Sequence, residues 1–307
     1  MVTPEQDAQT LHQAMKGLGT DEDTIIKIIA NRTNEHRLKI RESFKKQFNK
    51  EIIDSFKSEL SGNLEDTVVA LFQSPIEYDV AQLKKSMKGA GTDEDSLIEI
   101  VCTRPQSVLK EIKVKYKETY GKELEEDVKD DTSGDLLRLL LTIIKCERSE
   151  NANPKHLESE AEAKELIAEG EANWFKEGSK FEKLVLKDSA EEIVLVARHY
   201  YKLKNKTILD VIKENCKSDK DVSNLYQSVI YAVTSPSEYF AMKVYKSIKG
   251  WGTNDNMLIR VLITRDEKDM PQIKKFYKKL YKKDMLDDIK GDCSGDYQKL
   301  LIELAGH

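Results

Sequence analysis

Long apolar runs are missing from this 307-residue chain. The best candidate, Leu136–Ile144, is broken by Arg138 and falls well short of the roughly 18–20 apolar residues that a membrane-spanning helix needs. Proline is scarce at 6 residues and glycine modest at 14, alongside 39% hydrophobic and 34% charged residues. That balance excludes collagen-like, mucin-like and low-complexity chains. The four cysteines, Cys102, Cys146, Cys216 and Cys293, form no CxxC pair, so they are expected as reduced, buried hydrophobes without disulfides. The five histidines show no HExxH or comparable spacing, which argues against zinc. A net charge of -5 leaves no basic footprint for nucleic acid. Met1-Val2-Thr3-Pro4 lacks the basic start and apolar stretch of a signal peptide, so a cytoplasmic location is expected. With no nucleophile–base pair and no cofactor motif, an enzyme is not expected.

What the chain does have is a period. Lys16-Gly17-Leu18-Gly19-Thr20 recurs as Lys88-Gly89-Ala90-Gly91-Thr92 and as Lys249-Gly250-Trp251-Gly252-Thr253. The first two copies stand 72 residues apart and the next interval is about twice that, so a degenerate copy is expected between them. It is found at Gly170–Lys176, with Phe175 at the second glycine position. Repeats 1 and 2 then cover residues 1–74 and 75–146, the degenerate repeat 3 covers 166–235, and repeat 4 covers 236–307. Residues 147–165, charged and containing Pro154, read as a linker that divides the chain into two halves.

Within the repeats, apolar residues recur at helical spacing, as in Ile25, Ile26, Ile28 and Ile29, or Leu97, Ile98, Ile100 and Val101. Ser74-Pro75 and Ser235-Pro236 each put a capping residue ahead of proline at a first helical position. About 70 residues accommodate five short helices and their turns. The expected class is therefore an all-α array of four five-helix repeats. Thr20, Thr92 and Thr253 are placed to cap the second helix, with Asp23, Asp95 and Asn256 three residues on.

A GxGT turn alone is simply a way to reverse the chain, because glycine tolerates positive φ. A dinucleotide loop is excluded: Glu22, Glu94 and Asp255 stand where GxGxxG needs its third glycine, and no strand precedes. The long-range spacing is more informative. An acid follows the second glycine at 40 residues in each intact copy: Glu59, Asp131 and Asp292. At the same distance from Phe175 stands Asn215. Loop glycine and distant acid are lost together, which ties them to one function. Calcium takes six to eight oxygens, main-chain carbonyls included, at flexible geometry. The carbonyls of Met15, Gly17 and Gly19 with a bidentate Glu59 supply part of such a shell and leave the rest open to water or to another molecule.

KGxGT followed 40 residues later by Asp or Glu, in repeats of about 70 residues, resembles the annexin family over essentially the whole chain. The resemblance implies annexin-type five-helix repeats in a curved, right-handed array, with calcium loops on a convex face that docks onto acidic phospholipid. It implies three calcium sites: Met15, Gly17, Gly19 and Glu59; Met87, Gly89, Gly91 and Asp131; and Ile248, Gly250, Gly252 and Asp292. Minor calcium sites are implied at Thr20 with Glu22, Thr92 with Glu94, and Thr253 with Asp255. Repeat 3 departs from the pattern at Phe175 and Asn215, and Asp188 stands where the other repeats carry Arg32, Arg104 and Arg265. Self-association on the membrane is compatible with the resemblance. The segment ahead of the first loop is only about one helix long, too little tail for an S100-type partner.

The residues between the glycines, Leu18, Ala90 and Trp251, are expected at the loop tips as membrane contacts, beside Lys16, Lys88 and Lys249. Both tryptophans of the chain, Trp174 and Trp251, fall in these loops, and tryptophan favours the bilayer interface. The expected function is calcium-dependent binding to acidic phospholipid membranes, serving membrane organisation or trafficking, by a cytoplasmic protein that is reversibly peripheral at membranes. The alternative is a helical scaffold for a protein or cytoskeletal partner, with the calcium loops mainly structural.

Overall fold

The computed structural model describes residues 2–17, 19–89, 91–150, 153–250 and 252–306. Among them there are 19 α-helices, one 3₁₀ turn and no strand. The first five helices are α1 (Pro4–Ala14), α2 (Glu22–Ala30), α3 (Asn34–Phe48), α4 (Ile52–Glu59) and α5 (Gly62–Leu71). The plan repeats as α6 (Pro75–Ser86), α7 (Glu94–Thr103), α8 (Gln106–Tyr120), α9 (Leu124–Asp131) and α10 (Gly134–Ile144). It repeats again as α11 (His156–Glu169), a 3₁₀ turn at Glu171–Asn173, α12 (Lys180–Lys187), α13 (Ala190–Lys204), α14 (Ile208–Asn215) and α15 (Lys220–Thr234). The last group is α16 (Pro236–Ile248), α17 (Asp255–Tyr281), α18 (Met285–Asp292) and α19 (Gly295–Gly306). α17 is two helices run together, interrupted at Asp269 (φ −148°) just ahead of Pro271. The five-segment plan thus holds four times.

Local chemistry sets the helix starts. Thr3 and Gln6 form a reciprocal capping box on α1, and Ser74 and Glu77 exchange the same pair of bonds at the start of α6, 2.8 and 3.2 Å long. Further along, tyrosines staple the third segment to the fourth. Tyr116 on α8 donates to Asp127 on α9, and Tyr277 on α17 donates to Asp288 on α18 at 2.7 Å. Asp127 also receives Lys84 and Lys122, each at 2.7 Å. Burial alone would raise its carboxyl, but these three donors outweigh it and hold Asp127 down at about 2.

The chain packs as two compact units, Met1–Tyr78 with Ser237–His307, and Asp79–Pro236. In the first, α19 lies against α2 and α5, and Leu300 and Leu304 enter the same core as Ile25, Ile29, Phe44 and Phe56. Each such side chain contributes about 1.5–3 kcal/mol by its burial. In the second unit α15 packs along α7. The expected division into halves at residues 147–165 is therefore corrected: repeat 1 shares a unit with repeat 4, and repeat 2 with repeat 3. Exposed apolar faces find partners by shape, whatever their order in the chain.

The second half of that stretch is not linker either, since α11 begins at His156. Ser159, Ala163 and Leu166, at i, i+4 and i+7, are fully buried while Glu158, Lys164 and Glu165 are exposed. The apolar stripe is so thin that charge dominates the composition. All four cysteines are buried thiols, and burial pushes Cys216 and Cys293 up to about 11.

Candidate metal centres

Each intact loop starts where the first helix of its repeat ends. Met15 is the C-cap of α1, and the backbone N–H of Asp21, N-cap of α2, returns to the carbonyl of Ala14 at 2.9 Å. Asp93 returns in the same way to Ser86 at 2.8 Å, and Asn254 to Ser247 at 2.7 Å. So tight a ring needs positive φ, and the glycines provide it: +118° and +92° at Gly17 and Gly19, +118° and +102° at Gly89 and Gly91, +133° and +83° at Gly250 and Gly252. A Cβ at any of these would meet nothing within 4 Å. Glycine is there for its backbone, not for space, since such conformations cost other residues about 1–3 kcal/mol.

The structure brings the distant acids to these loops. Glu59, Asp131 and Asp292 are each the last residue of an eight-residue helix, α4, α9 and α18. Thr20 Oγ1 donates to Glu59 Oε2 at 2.9 Å, and Thr253 Oγ1 to Asp292 Oδ2 at 2.5 Å. Thr92 Oγ1 donates at 2.8 Å to the main-chain oxygen of Asp131 instead. The threonines are therefore not the helix caps they were expected to be. That place belongs to the next residue: Asp21, Asp93 and Asn254 each accept a backbone N–H three residues on, at 3.0 Å. The N–H and hydroxyl of Thr24 hold the Asp21 carboxyl below its usual range.

Among the described residues, no hydrogen bond ends on the carbonyl oxygens of Met15, Gly17 or Gly19, of Met87, Gly89 or Gly91, or of Ile248, Gly250 or Gly252. Nor do three His, Cys, Asp or Glu side chains gather anywhere among them to hold a metal. A cation at these loops would depend on neutral main-chain oxygens and one carboxylate. Such an all-oxygen donor set fits calcium and not a soft transition metal. Glu22, Glu94 and Asp255 open α2, α7 and α17 directly after their caps, two residues after Thr20, Thr92 and Thr253. Leu18, Ala90 and Trp251 lie outside the described residues.

Sequence reasoning missed three further glycines. Gly62, Gly134 and Gly295 follow the acids by three residues, have φ of +61°, +62° and +64°, and open α5, α10 and α19. They turn the chain immediately after the acid. The signal was a Ser-Gly pair, Ser61-Gly62, Ser133-Gly134 and Ser294-Gly295, where repeat 3 has Lys217-Ser218.

Repeat 3 keeps the frame and fills the loop. Asn215 ends α14 as the acids end their helices, yet its amide donates to the carbonyl of Val211 at 3.0 Å. The loop runs from the C-cap Gly170 to the N-cap Ser179 and is longer than Met15 to Asp21. Trp174, which falls in the degenerate loop, is fully buried. It stacks on Phe181 at 4.7 Å and donates its indole N–H to the carbonyl of Leu166 at 3.1 Å. Phe175 lies edge-on to Phe181 and Tyr226, each at 5.7 Å. Glu171 is taken up by Tyr200 at 2.6 Å and Lys206 at 2.7 Å. An aromatic cluster occupies the place of an open loop, and burial of those rings explains why.

The same units are met in known proteins. The annexin family model matches residues 6–71, 78–143 and 239–304. Human annexin A4 is 39% identical over 98% of this chain and 94% of its own length. Human annexin A7 is 36% identical over 98% of this chain, which spans only 61% of that longer protein. The crystal structure of calcium-bound annexin (Sm)1, at 29% identity, superposes with a TM-score of 0.87 over all of this chain and 91% of its own. Matched by the family model in its three intact repeats, and by these relatives over nearly all its length, the chain belongs to the annexin family.

Proposed function

We propose that the loops of repeats 1, 2 and 4 bind calcium and through it attach the protein to acidic phospholipid membranes. The ligands are the carbonyls of Met15, Gly17 and Gly19 with Glu59, those of Met87, Gly89 and Gly91 with Asp131, and those of Ile248, Gly250 and Gly252 with Asp292. One observation carries the reading: a threonine of each intact loop touches the residue that ends a helix about 40 residues later, and in repeat 3 that contact, the glycines and the acid are all replaced. Calcium held there supplies positive charge and open coordination positions for lipid phosphate or carboxylate oxygens, which a protein of net charge -5 cannot itself attract. With a single charged ligand each, the sites are weak, nearer ~10⁻⁴ M than the 10⁻⁷ M of sensor sites. Leu18, Ala90 and Trp251 add membrane contact at the loop tips, and Thr20 with Glu22, Thr92 with Glu94 and Thr253 with Asp255 form secondary calcium positions. Attachment is peripheral and reversible. No helix among the described residues is long and apolar enough to cross a bilayer. The role is organisation or trafficking of membranes rather than catalysis.

Co-sedimentation with phosphatidylserine–phosphatidylcholine vesicles tests the proposal. The protein should pellet with calcium and return to the supernatant with chelator; equal pelleting in chelator contradicts it.

A further inference from the structure

A second comparison among the repeats uses no metal. In repeat 1 the Arg32 guanidinium grips Asp7 of α1 with two bonds of 2.6 and 3.1 Å, across 25 residues. In repeat 2 Arg104 grips Asp79 of α6 at 2.6 and 2.7 Å, again across 25. In repeat 4 Arg265 lies over the ring of Phe240 on α16, 4.4 Å from its centre. Arginine thus pins the first helix of each of these repeats to the corner between the second and third segments. Repeat 3 has Asp188 at that corner, just ahead of Ser189, the N-cap of α13. On α11, eight residues before its C-cap, as Asp7 is before Met15, stands Glu162. A carboxyl faces a carboxyl, and no arginine pins the helix.

The surroundings do not neutralise the pair. Glu158 and Glu165 on α11 and Glu192 on α13 line the same surface cavity of about 380 Å³ as Glu162 and Asp188. From α12, Lys183 reaches Asp188 only at 3.8 Å, and Lys180 is engaged with Glu165 at 2.5 Å. Arg148, in the segment before α11, lies near Asp188 and spends its guanidinium on the Val185 carbonyl. Asp188 Oδ2 is buried without a hydrogen-bond partner.

We propose that repeat 3 carries a proton-operated lock, in which the protonated Glu162 carboxyl donates to Asp188 and holds α11 against α12 and α13, and releases it when Glu162 ionises. Burial first, and then the charge of Asp188, pushes the Glu162 carboxyl up to about 7. Its folded-state value is raised, so the stabilisation is present in acid and is lost as pH rises through about 7. Release reaches the repeat-3 loop directly, because Trp174 hangs by its indole N–H from Leu166 of α11. The seating of the one loop without a calcium site then follows pH.

The test uses the 307-residue chain with Trp251→Phe, so that Trp174 is its sole tryptophan, without calcium. Acrylamide quenching of Trp174 is followed from pH 5.5 to 8.5. Quenching should at least double with rising pH, with a midpoint near 7. Glu162→Gln should abolish the change and keep the low, acid-like quenching. Asp188→Arg, which restores the pairing of repeats 1 and 2, should do the same, and Asp188→Asn serves if either misfolds. The same two helices also carry His156 and His199, which approach at 3.4 Å. Quenching that is flat, that rises toward acid, or that keeps its midpoint in Glu162→Gln overturns the proposal.

Discussion

Thr20 Oγ1 donates a hydrogen bond to Glu59 Oε2 at 2.9 Å, joining residues 39 apart. Through it the loop after α1 meets the end of α4. Gly19 at +92° closes that loop, and Glu59 is an acid at a helix C-terminus, where the helix dipole disfavours negative charge.

Gly19→Ala should therefore hurt locally. The backbone there is strained for any L side chain although the space is open, so unfolding in urea should show a loss of about 1–3 kcal/mol. The calcium requirement for vesicle binding should rise as well. A variant as stable as the parent, with an unchanged requirement, would show that positive φ is not needed.

The aromatic filling of repeat 3 makes the reverse prediction. Trp174→Ala removes a fully buried side chain and should cost about 3–5 kcal/mol in urea unfolding. Calcium-dependent sedimentation at temperatures where the variant is folded should not change. A raised calcium requirement with little loss of stability would mean that the tryptophan serves membrane contact after all.

Asp127 supplies the acid limb of stability. Its folded-state carboxyl lies at about 2, below the 3.8 of an unperturbed aspartate. The contribution is thus complete above about 3.8 and disappears as pH falls toward about 2. Asp127→Asn should flatten the dependence of urea stability on pH between these values. Tyr116→Phe should remove about 0.5–1.5 kcal/mol at neutral pH through the lost hydrogen bond. An unaltered acid limb in Asp127→Asn would contradict the assignment.

The glycine–acid pattern was legible because each part is a residue type whose chemistry is local: glycine for positive φ, one carboxylate at fixed spacing. The role of Thr20 was not. Capping by Thr20 or by Asp21 differs by a single residue, and propensity favours both; the tertiary contact with Glu59 decides. α11 was hidden because only Ser159, Ala163 and Leu166 carry its packing in a strongly charged segment. The sharing of one core by Ile25 and Leu300 leaves no trace in periodicity, which reveals that a helix has an apolar face but not what covers it. Trp174 sat in a recognisable loop position, and its burial depended on Phe181, Tyr200 and Tyr226 arriving from other helices.

The most direct measurement compares the calcium midpoint for vesicle binding in Glu59→Gln, Asp131→Asn, Asp292→Asn and Asn215→Ala. Sites on one chain reinforce each other through effective concentration, so removing the sole charged ligand of one site should raise the midpoint several-fold without abolishing binding. Each of the three acid variants should behave so, and Asn215→Ala should match the parent. A midpoint unmoved by Asp292→Asn, or strongly raised by Asn215→Ala, would contradict the assignment of calcium to the loops of repeats 1, 2 and 4.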